Sequence, residues 1–344
     1  METYKINHVM SADFESGIFT DIVGYFKKYS PPWITHHVTV TPIDDADIYH
    51  YHRPHLESKL RHPGICTVHH DLEDPDAWHS KHRFLPRYNE AETIICLNET
   101  QKVILTREGI SEEKLRVIPH GYNTDILRIK SQKKDDNRKI TIGMASRRYG
   151  RRVKGEAYLF ELAKLLNPDR FSFILVGQGR AIDALMLRKM GYSAKFYERF
   201  PYRLFQSFYE SIDVLLMCSS HEGGPANIPE ALATGTPVFS SEVGMSRDMI
   251  KNKKNGIFLT LESHLDAELI NDTCFSCFNH LQKMKDYCIE HAPSIKTWRE
   301  TVNDNISAYS AVLRKDMSII PVIEASDPLS IGTLLDLPVM ECVA

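Results

Sequence analysis

The sequence predicts an α/β protein of two domains, each built on a parallel sheet. Three observations carry this expectation. At 344 residues the chain is longer than one hydrophobic core usually serves. Short apolar or β-branched runs alternate with helix-like stretches through both halves, the rhythm of parallel strands with crossover helices. Between the halves, Lys130–Lys139 (Lys-Ser-Gln-Lys-Lys-Asp-Asp-Asn-Arg-Lys) contains no apolar residue and reads as a linker.

In the first half, strands are expected at Tyr4–Met10, His36–Thr41, Asp47–His50, Ile65–His69, Thr93–Leu97 and Leu115–Ile118. Gly17–Lys28 places Ile18, Phe19, Ile22, Tyr25 and Phe26 on one helical face, and Pro31-Pro32 stops that helix. After the linker the rhythm restarts with strands at Ile140–Met144, Phe171–Val176, Ala194–Tyr197, Val214–Met217 and Pro237–Ser240. Helices fall between them near Glu156–Leu166, Ala181–Met190, Tyr202–Ser211 and Ala226–Thr234, the pattern of a doubly wound, Rossmann-like sheet. Leu265–Arg314 is helical throughout, with Trp298–Leu313 one long amphipathic helix. The tail from Asp316 to Ala344 has apolar clusters at Ile319-Ile320, Leu334-Leu335 and Val339-Met340 and no assigned place.

With 42% hydrophobic and 25% charged residues and a formal charge of -3, the chain has neither the composition of a disordered segment nor the basic excess of a nucleic-acid binder. No apolar run approaches the roughly 20 residues that cross a bilayer. The start, Met1-Glu2-Thr3-Tyr4-Lys5-Ile6, lacks the pattern of an export signal, so a cytoplasmic protein is expected. Seven cysteines, an odd number in that setting, read as reduced thiols.

The segment richest in chemistry follows the buried strand Val214–Met217: Cys218-Ser-Ser-His221-Glu222-Gly223-Gly224-Pro225, then a helix closed by Gly235. Ligands of open α/β sheets bind outside the carboxyl ends of strands, where the next helix begins. The two glycines would let backbone N–H groups approach a phosphate, and the helix start adds partial positive charge. Glu222 and Glu230, in the loop and just inside the helix, can both face one ligand there. Carboxylates repel a diphosphate, so their expected partners are hydroxyls, Glu222 of a sugar and Glu230 of a ribose. A tight turn with a solvated helical glutamate would read the same way.

Glu222–Val238, Glu-Gly-Gly-Pro-Ala-Asn-Ile-Pro-Glu-Ala-Leu-Ala-Thr-Gly-Thr-Pro-Val, resembles the E-x7-E signature of the retaining glycosyltransferases of family 4, which have the GT-B fold. The resemblance runs on through Ser241–Ile250 and Asn255–Phe258. Upstream, Ile142-Gly-Met-Ala-Ser-Arg147 and Lys154-Gly155 look like the segment where that family sets an Arg and a Lys on the donor diphosphate, with Arg148, Arg151 and Arg152 as alternatives to Arg147. Leu115–Asp125 resembles the strand and turn closing the family's first domain, with Gly121 turning towards the cleft and His120 where Asn is usual. Thr67-Val-His69-His70-Asp71 resembles the position of a histidine facing the donor sugar, which either His69 or His70 could fill. Ser11–Gly17 resembles the family's first loop but keeps one glycine, Gly17, where a pair is common.

The resemblance implies two Rossmann-like domains facing a central cleft: an acceptor-side domain over 1–130, a sugar-nucleotide domain over 131–292, and a segment 293–344 whose helix crosses back to the first domain. It implies retaining transfer from a nucleoside diphosphate sugar to a hydroxyl of a glycan, a lipid-linked glycan or a small molecule, in the setting of surface glycan or glycolipid assembly. No cofactor and no metal are expected. His69 or His70, Arg147, Lys154 and Glu222 would carry the chemistry; Gly17, Gly121, Arg147, Lys154, Glu222, Gly223, Gly224, Pro225 and Glu230 would hold the donor. A GT-B epimerase or hydrolase of the sugar nucleotide, and a catalytically silent sugar-nucleotide-binding partner, are the alternatives.

Other signals have blander readings. Asp44-Asp45-Ala46-Asp47 invites a divalent cation but reads as a solvated turn. Cys274-x2-Cys277 with Cys288-x2-His291 has zinc-like spacing, yet both members of the first pair would lie on a buried helical face. Twelve of the sixteen histidines precede residue 121, among them His50, His52 and His55, and neutral, solvated imidazoles are the default for them. Phe19–Tyr29 could touch a membrane surface as a peripheral contact, although Lys27 and Lys28 are its only positive charges; packing on the first sheet is the competing reading.

Overall fold

The computed structural model describes residues 3–10, 17–131, 139–148, 150–151 and 153–318. In its first half, β1 (Tyr4–Val9), α1 (Gly17–Tyr29), β2 (Ile34–Thr39), β3 (Ile48–Tyr51), β4 (Gly64–Val68), α2 (Lys81–Glu90), β5 (Thr93–Cys96), α3 (Glu99–Arg107) and β6 (Leu115–Val117) follow in order. The second half contains β7 (Ile140–Ala145), α4 (Glu156–Leu165), β8 (Phe171–Val176), α5 (Arg180–Lys189), β9 (Ser193–Tyr197), α6 (Phe205–Ser211), β10 (Val214–Met217), α7 (Asn227–Ala233), β11 (Val238–Ser241), α8 (Ser246–Met249) and β12 (Gly256–Leu259). Three helices close the described chain: α9 (Ser263–Phe275), α10 (His280–His291) and α11 (Trp298–Leu313).

Every strand pair is parallel, and the strands form two six-stranded sheets, ordered β2-β1-β3-β4-β5-β6 and β12-β11-β10-β7-β8-β9. The second order is that of a dinucleotide-binding sheet read from its far edge. Strand order reverses between β1 and β3 in one sheet and between β7 and β10 in the other. At such switch points neighbouring loops diverge and leave a crevice, so the loops after β1, β3, β7 and β10 are placed to hold a ligand.

Helix α11 packs on the first sheet. Its Trp298, Val302, Ile306 and Tyr309 share a core with Ile6, Ile22, Tyr25, Phe26, Ile48 and Ile65. Thr297 and Glu300 start the helix with a reciprocal capping box, Glu300 N–H donating to Thr297 Oγ1 at 3.3 Å and Thr297 N–H to Glu300 Oε2 at 2.7 Å. The chain is pinned there to the segment after β6, with Trp298 N–H donating to Tyr122 O at 3.0 Å and Tyr122 N–H to Lys296 O at 3.1 Å. Gly121 sits against this crossing, where a Cβ would lie 2.3 Å from the Thr297 carbonyl carbon.

Several expectations need correction. The helical stretch from Leu265 is broken into three helices, and α9 ends at Phe275, so Cys277 lies beyond it and is exposed rather than buried. Cys288 is buried and directs its thiol to Asn255 O, which leaves no tetrad with Cys274 and His291 among the described residues. Asp44 and Asp45 do form a solvated turn, held by Arg61 and Lys5. The expected helix at Tyr202 opens as a 3-10 turn before α6. Most of the linker, the loop 11–16, Arg152 and the tail clusters from Ile319 onward lie outside the described residues.

Gly121→Ala should lower stability by about 1–3 kcal/mol, the usual scale of overpacking a rigid backbone contact. A urea titration reads it as a lower midpoint with an unchanged slope.

Candidate functional site

The loop after β7 presents Ser146 and Arg147, and α4 begins just after Lys154 and Gly155. Gly155 has φ 76° and lies so close to the β10 loop that a Cβ would be 2.1 Å from Cys218 O. Only glycine satisfies both demands, and the result is that Lys154 is held beside the loop after β10. Ser220 N–H donates to Val153 O at 2.9 Å across the same seam. The Lys154 ammonium and a Glu222 carboxylate oxygen form an ion pair there, each side chain only 14% exposed.

Gly223 and Gly224 are glycines for a different reason from the expected one. Neither has a positive φ. A Cβ on Gly223 would lie 2.5 Å from His69 O, and one on Gly224 would lie 2.4 Å from Leu97 Cδ1. The absent side chains therefore admit the tips of β4 and β5 rather than a phosphate alone. Asn98 Nδ2 donates to Gly223 O at 2.8 Å, His221 Nδ1 meets Asp71 Oδ2 at 2.9 Å, and Glu99 N–H donates to Asp248 Oδ2 at 2.8 Å. Arg151 adds a bidentate pair with Asp74, at 2.6 and 2.8 Å, and a contact to Asp76 at 3.1 Å.

These contacts leave two adjoining cavities that share Arg147 and Glu222. One, about 560 Å³, is lined by His52, Arg53, His55, His69, His70, His120, Gly223 and Gly224 among others. The other, about 390 Å³, adds Asp21, Tyr25, Ser146, Lys154, Tyr202, Pro225, Asn227, Glu230 and Trp298. Arg147, Lys154, Glu222, Pro225 and Glu230 thus come together as expected. Of the described alternatives, Arg151 is committed to Asp74 and Arg148 lies 3.6 Å from the buried Asp183, while Arg147 lines both cavities. Gly121, packed on Thr297, lines neither cavity, and Gly17 is the first residue of α1.

Both histidines of the pair line the larger cavity, so the geometry does not choose one. His69 Nε2 is bonded to His52 Nδ1 at 2.9 Å, while His70 stacks on Phe84 with centroids 3.8 Å apart. Burial holds the His69 imidazole well below its usual range and takes His70 to about 3, so both rings are neutral at neutral pH. Neither is an anion-binding charge.

Glu230 is 5% exposed, and its carboxylate accepts from Tyr202 Oη at 2.5 Å and Tyr209 Oη at 2.9 Å. Burial raises its pKa to about 7, against the opposing effect of the two tyrosine hydroxyls. It is therefore no solvated helical glutamate. Tyr202 and Tyr209, with Asp21, Tyr25 and Trp298 from the first domain's packing, carried no motif that would have marked them. His50, His52 and His120 are buried, which corrects the expectation of solvated imidazoles.

Two doubly wound sheets whose carboxyl-end loops line a common cleft are the GT-B fold. Solved structures agree: a glycosyltransferase from Rickettsia africae matches 91% of this chain and 100% of its own with a TM-score of 0.68 at 16% identity. Anabaena HepE, solved with UDP and glucose, matches 90% of this chain and 100% of its own with a TM-score of 0.69 at 16% identity. In sequence, residues 125–285 match the family model described as glycosyl transferases group 1. A GDP-mannose-dependent α-mannosyltransferase of Mycolicibacterium smegmatis is 26% identical over 165 residues, which is 47% of this chain and 42% of that protein. The chain thus aligns with less than half the length of that relative.

Folding favours protonated Glu230, because its folded pKa lies above the ordinary 4.5. Its contribution is fully present below that value and is lost as pH rises towards about 7. Glu230→Gln should therefore remove, between those limits, a fall in stability on the order of 3 kcal/mol at most. Urea unfolding of both proteins across that window checks the difference in slope.

Proposed function

We propose that the chain is a retaining glycosyltransferase that moves a sugar from a nucleoside diphosphate to a hydroxyl acceptor without a metal. The observation that carries this reading is the meeting of Arg147, Lys154, Glu222 and Glu230 around one cleft at the switch point of the second sheet. Arg147 and Lys154 supply fixed positive charge for the diphosphate and for the negative charge that grows on it as the sugar leaves. Lys154 reaches the phosphate by exchanging its Glu222 partner, and Glu222 then accepts hydrogen bonds from sugar hydroxyls. Glu230, already an acceptor for two tyrosines, takes a ribose hydroxyl in its ionised form.

Retention is favoured by what lines the larger cavity. Among the described residues there, Glu222 is the only carboxylate, and it is tied to Lys154 rather than set across the cleft as a nucleophile or base. Departure and attack on one face, with the leaving phosphate helping to deprotonate the acceptor, asks for no such residue. His69 and His70, neutral and beside Gly223, line the reaction centre. The Mycolicibacterium relative's GDP-mannose and the UDP and glucose bound by HepE support a hexose nucleotide as donor. Assembly of a surface glycan or glycolipid is the proposed setting, with the protein in the cytoplasm; no helix among the described residues is long and apolar enough to cross a membrane.

Glu222→Ala should lower turnover by about a hundredfold or more, while nucleoside diphosphate affinity holds or improves because Lys154 is released from its partner. Diphosphate release with and without acceptor, paired with calorimetry, separates the two quantities. Equal loss of both would contradict the role given to Glu222.

A further inference from the structure

A line of buried imidazoles crosses the first sheet along the strand order β2-β1-β3-β4. Ser30 Oγ meets His36 Nε2 at 2.7 Å, His36 Nδ1 meets His8 Nε2 at 2.9 Å, His8 Nδ1 meets His52 Nε2 at 3.0 Å, and His52 Nδ1 meets His69 Nε2 at 2.9 Å. His8, His36 and His52 are 0%, 7% and 4% exposed, whereas Ser30 is partly exposed and His69 lines the cleft. Every link between rings joins one Nδ1 to the next Nε2. Burial holds all four imidazoles below their usual range, which keeps them neutral.

A neutral imidazole has one donor and one acceptor nitrogen. Because His8, His36 and His52 each use both nitrogens on their neighbours, choosing one proton position along the line fixes the others. His8, His50 and His52 are also close enough to suggest a cation site. However, His50 is engaged at both nitrogens, with Tyr309 Oη at 2.7 Å and Thr67 Oγ1 at 2.6 Å, and His8 and His52 are engaged within the chain. The hydrogen-bonded reading accounts for every ring nitrogen of the three; a cation would displace several of these bonds.

We propose that His69, His52, His8, His36 and Ser30 form a proton relay that carries the acceptor's proton out of the cleft to the protein surface, an inference that rests on the transfer reading above. In that reaction the acceptor O–H bond breaks as its oxygen bonds to C1 of the sugar. The C1–O bond to the diphosphate breaks with its electron pair going to the phosphate. The phosphate accepts the proton and passes it to Nδ1 of His69. His69 gives its Nε2 proton to His52, His52 to His8, His8 to His36, and His36 to Ser30 and water. Each ring ends neutral with its proton moved from Nε2 to Nδ1, and one proton has left the cleft. His52, His8 and His36 are positioning residues in this scheme, since none touches the reacting atoms.

Outward transfer requires all four rings to rest as the Nε2–H tautomer. Long-range 15N–1H correlation spectra of the histidine side chains in the resting, substrate-free protein should show this for His8, His36, His52 and His69. A single Nδ1-protonated or doubly protonated ring among the four would overturn the relay. His36→Phe keeps the ring's shape but breaks the chain far from the cleft; turnover should fall about tenfold or more with the donor KM unchanged. Unchanged turnover in a variant whose other histidine signals show it folded would also overturn it. The tautomers are read without any substrate, so failure of the wild type to transfer sugar to any acceptor would count against the transfer reading and not be confused with failure of the relay.

Discussion

The cleft depends on a strip of backbone without side chains. Gly223 and Gly224 let the loop after β10 pass against His69, His70 and Leu97 at distances that no Cβ would permit. Once that strip is seated, the surrounding polar groups pair across the seam: Asn98 with Gly223 O, His221 with Asp71, Arg151 with Asp74. Gly244, at φ 51°, supports the strip from behind, with its Cβ position 2.5 Å from Glu222 O. Loop position, and so the position of Glu222, is set by steric fit before any electrostatic term acts.

Within that frame Lys154 and Glu222 pair beside the cavity, and the proposed function asks them to exchange partners. A buried ion pair gives little net stability, since desolvation offsets the attraction, but it keeps two groups in place at modest cost until a better partner arrives. Lys154 and Glu222 fit this description, each mostly buried and each facing the cavity. Glu230 is the complement: a buried carboxyl that two tyrosines hold as an acceptor, with burial leaving it poised near neutrality. The two carboxylates therefore differ in kind despite sharing one motif.

Much of this was legible in the sequence because parallel strands buried on both faces read as short continuous apolar runs. Six strands of the first sheet and five of the second fell where those runs were, and Trp298–Leu313 was outlined by its amphipathic period. The fold and the neighbourhood of Arg147, Lys154, Glu222 and Glu230 followed. The reasons for individual residues did not. Nothing local to Gly223 announces that His69, from the other sheet, fills its missing Cβ. Tyr202, in the 3-10 turn before α6, and Tyr209, within α6, lie 28 and 21 positions from Glu230 and approach it only in the folded chain. The histidines sit on or just beyond four different strands, so their pairing is a property of strand order, which composition does not encode. Gly121 misled because a turn glycine and a close-packing glycine look alike in sequence.

The central claim is that Arg147 and Lys154 bind a nucleoside diphosphate in place of a metal. Calorimetric titration of the protein with UDP and with GDP in the presence of EDTA, repeated on Arg147→Ala, tests it directly. The account predicts metal-free binding of at least one of the two nucleotides, weakened by about tenfold or more in the variant, the scale of a lost hydrogen bond to a charged group. Binding that appears only when Mg2+ or Mn2+ is supplied, or equal affinity in the variant, would contradict it.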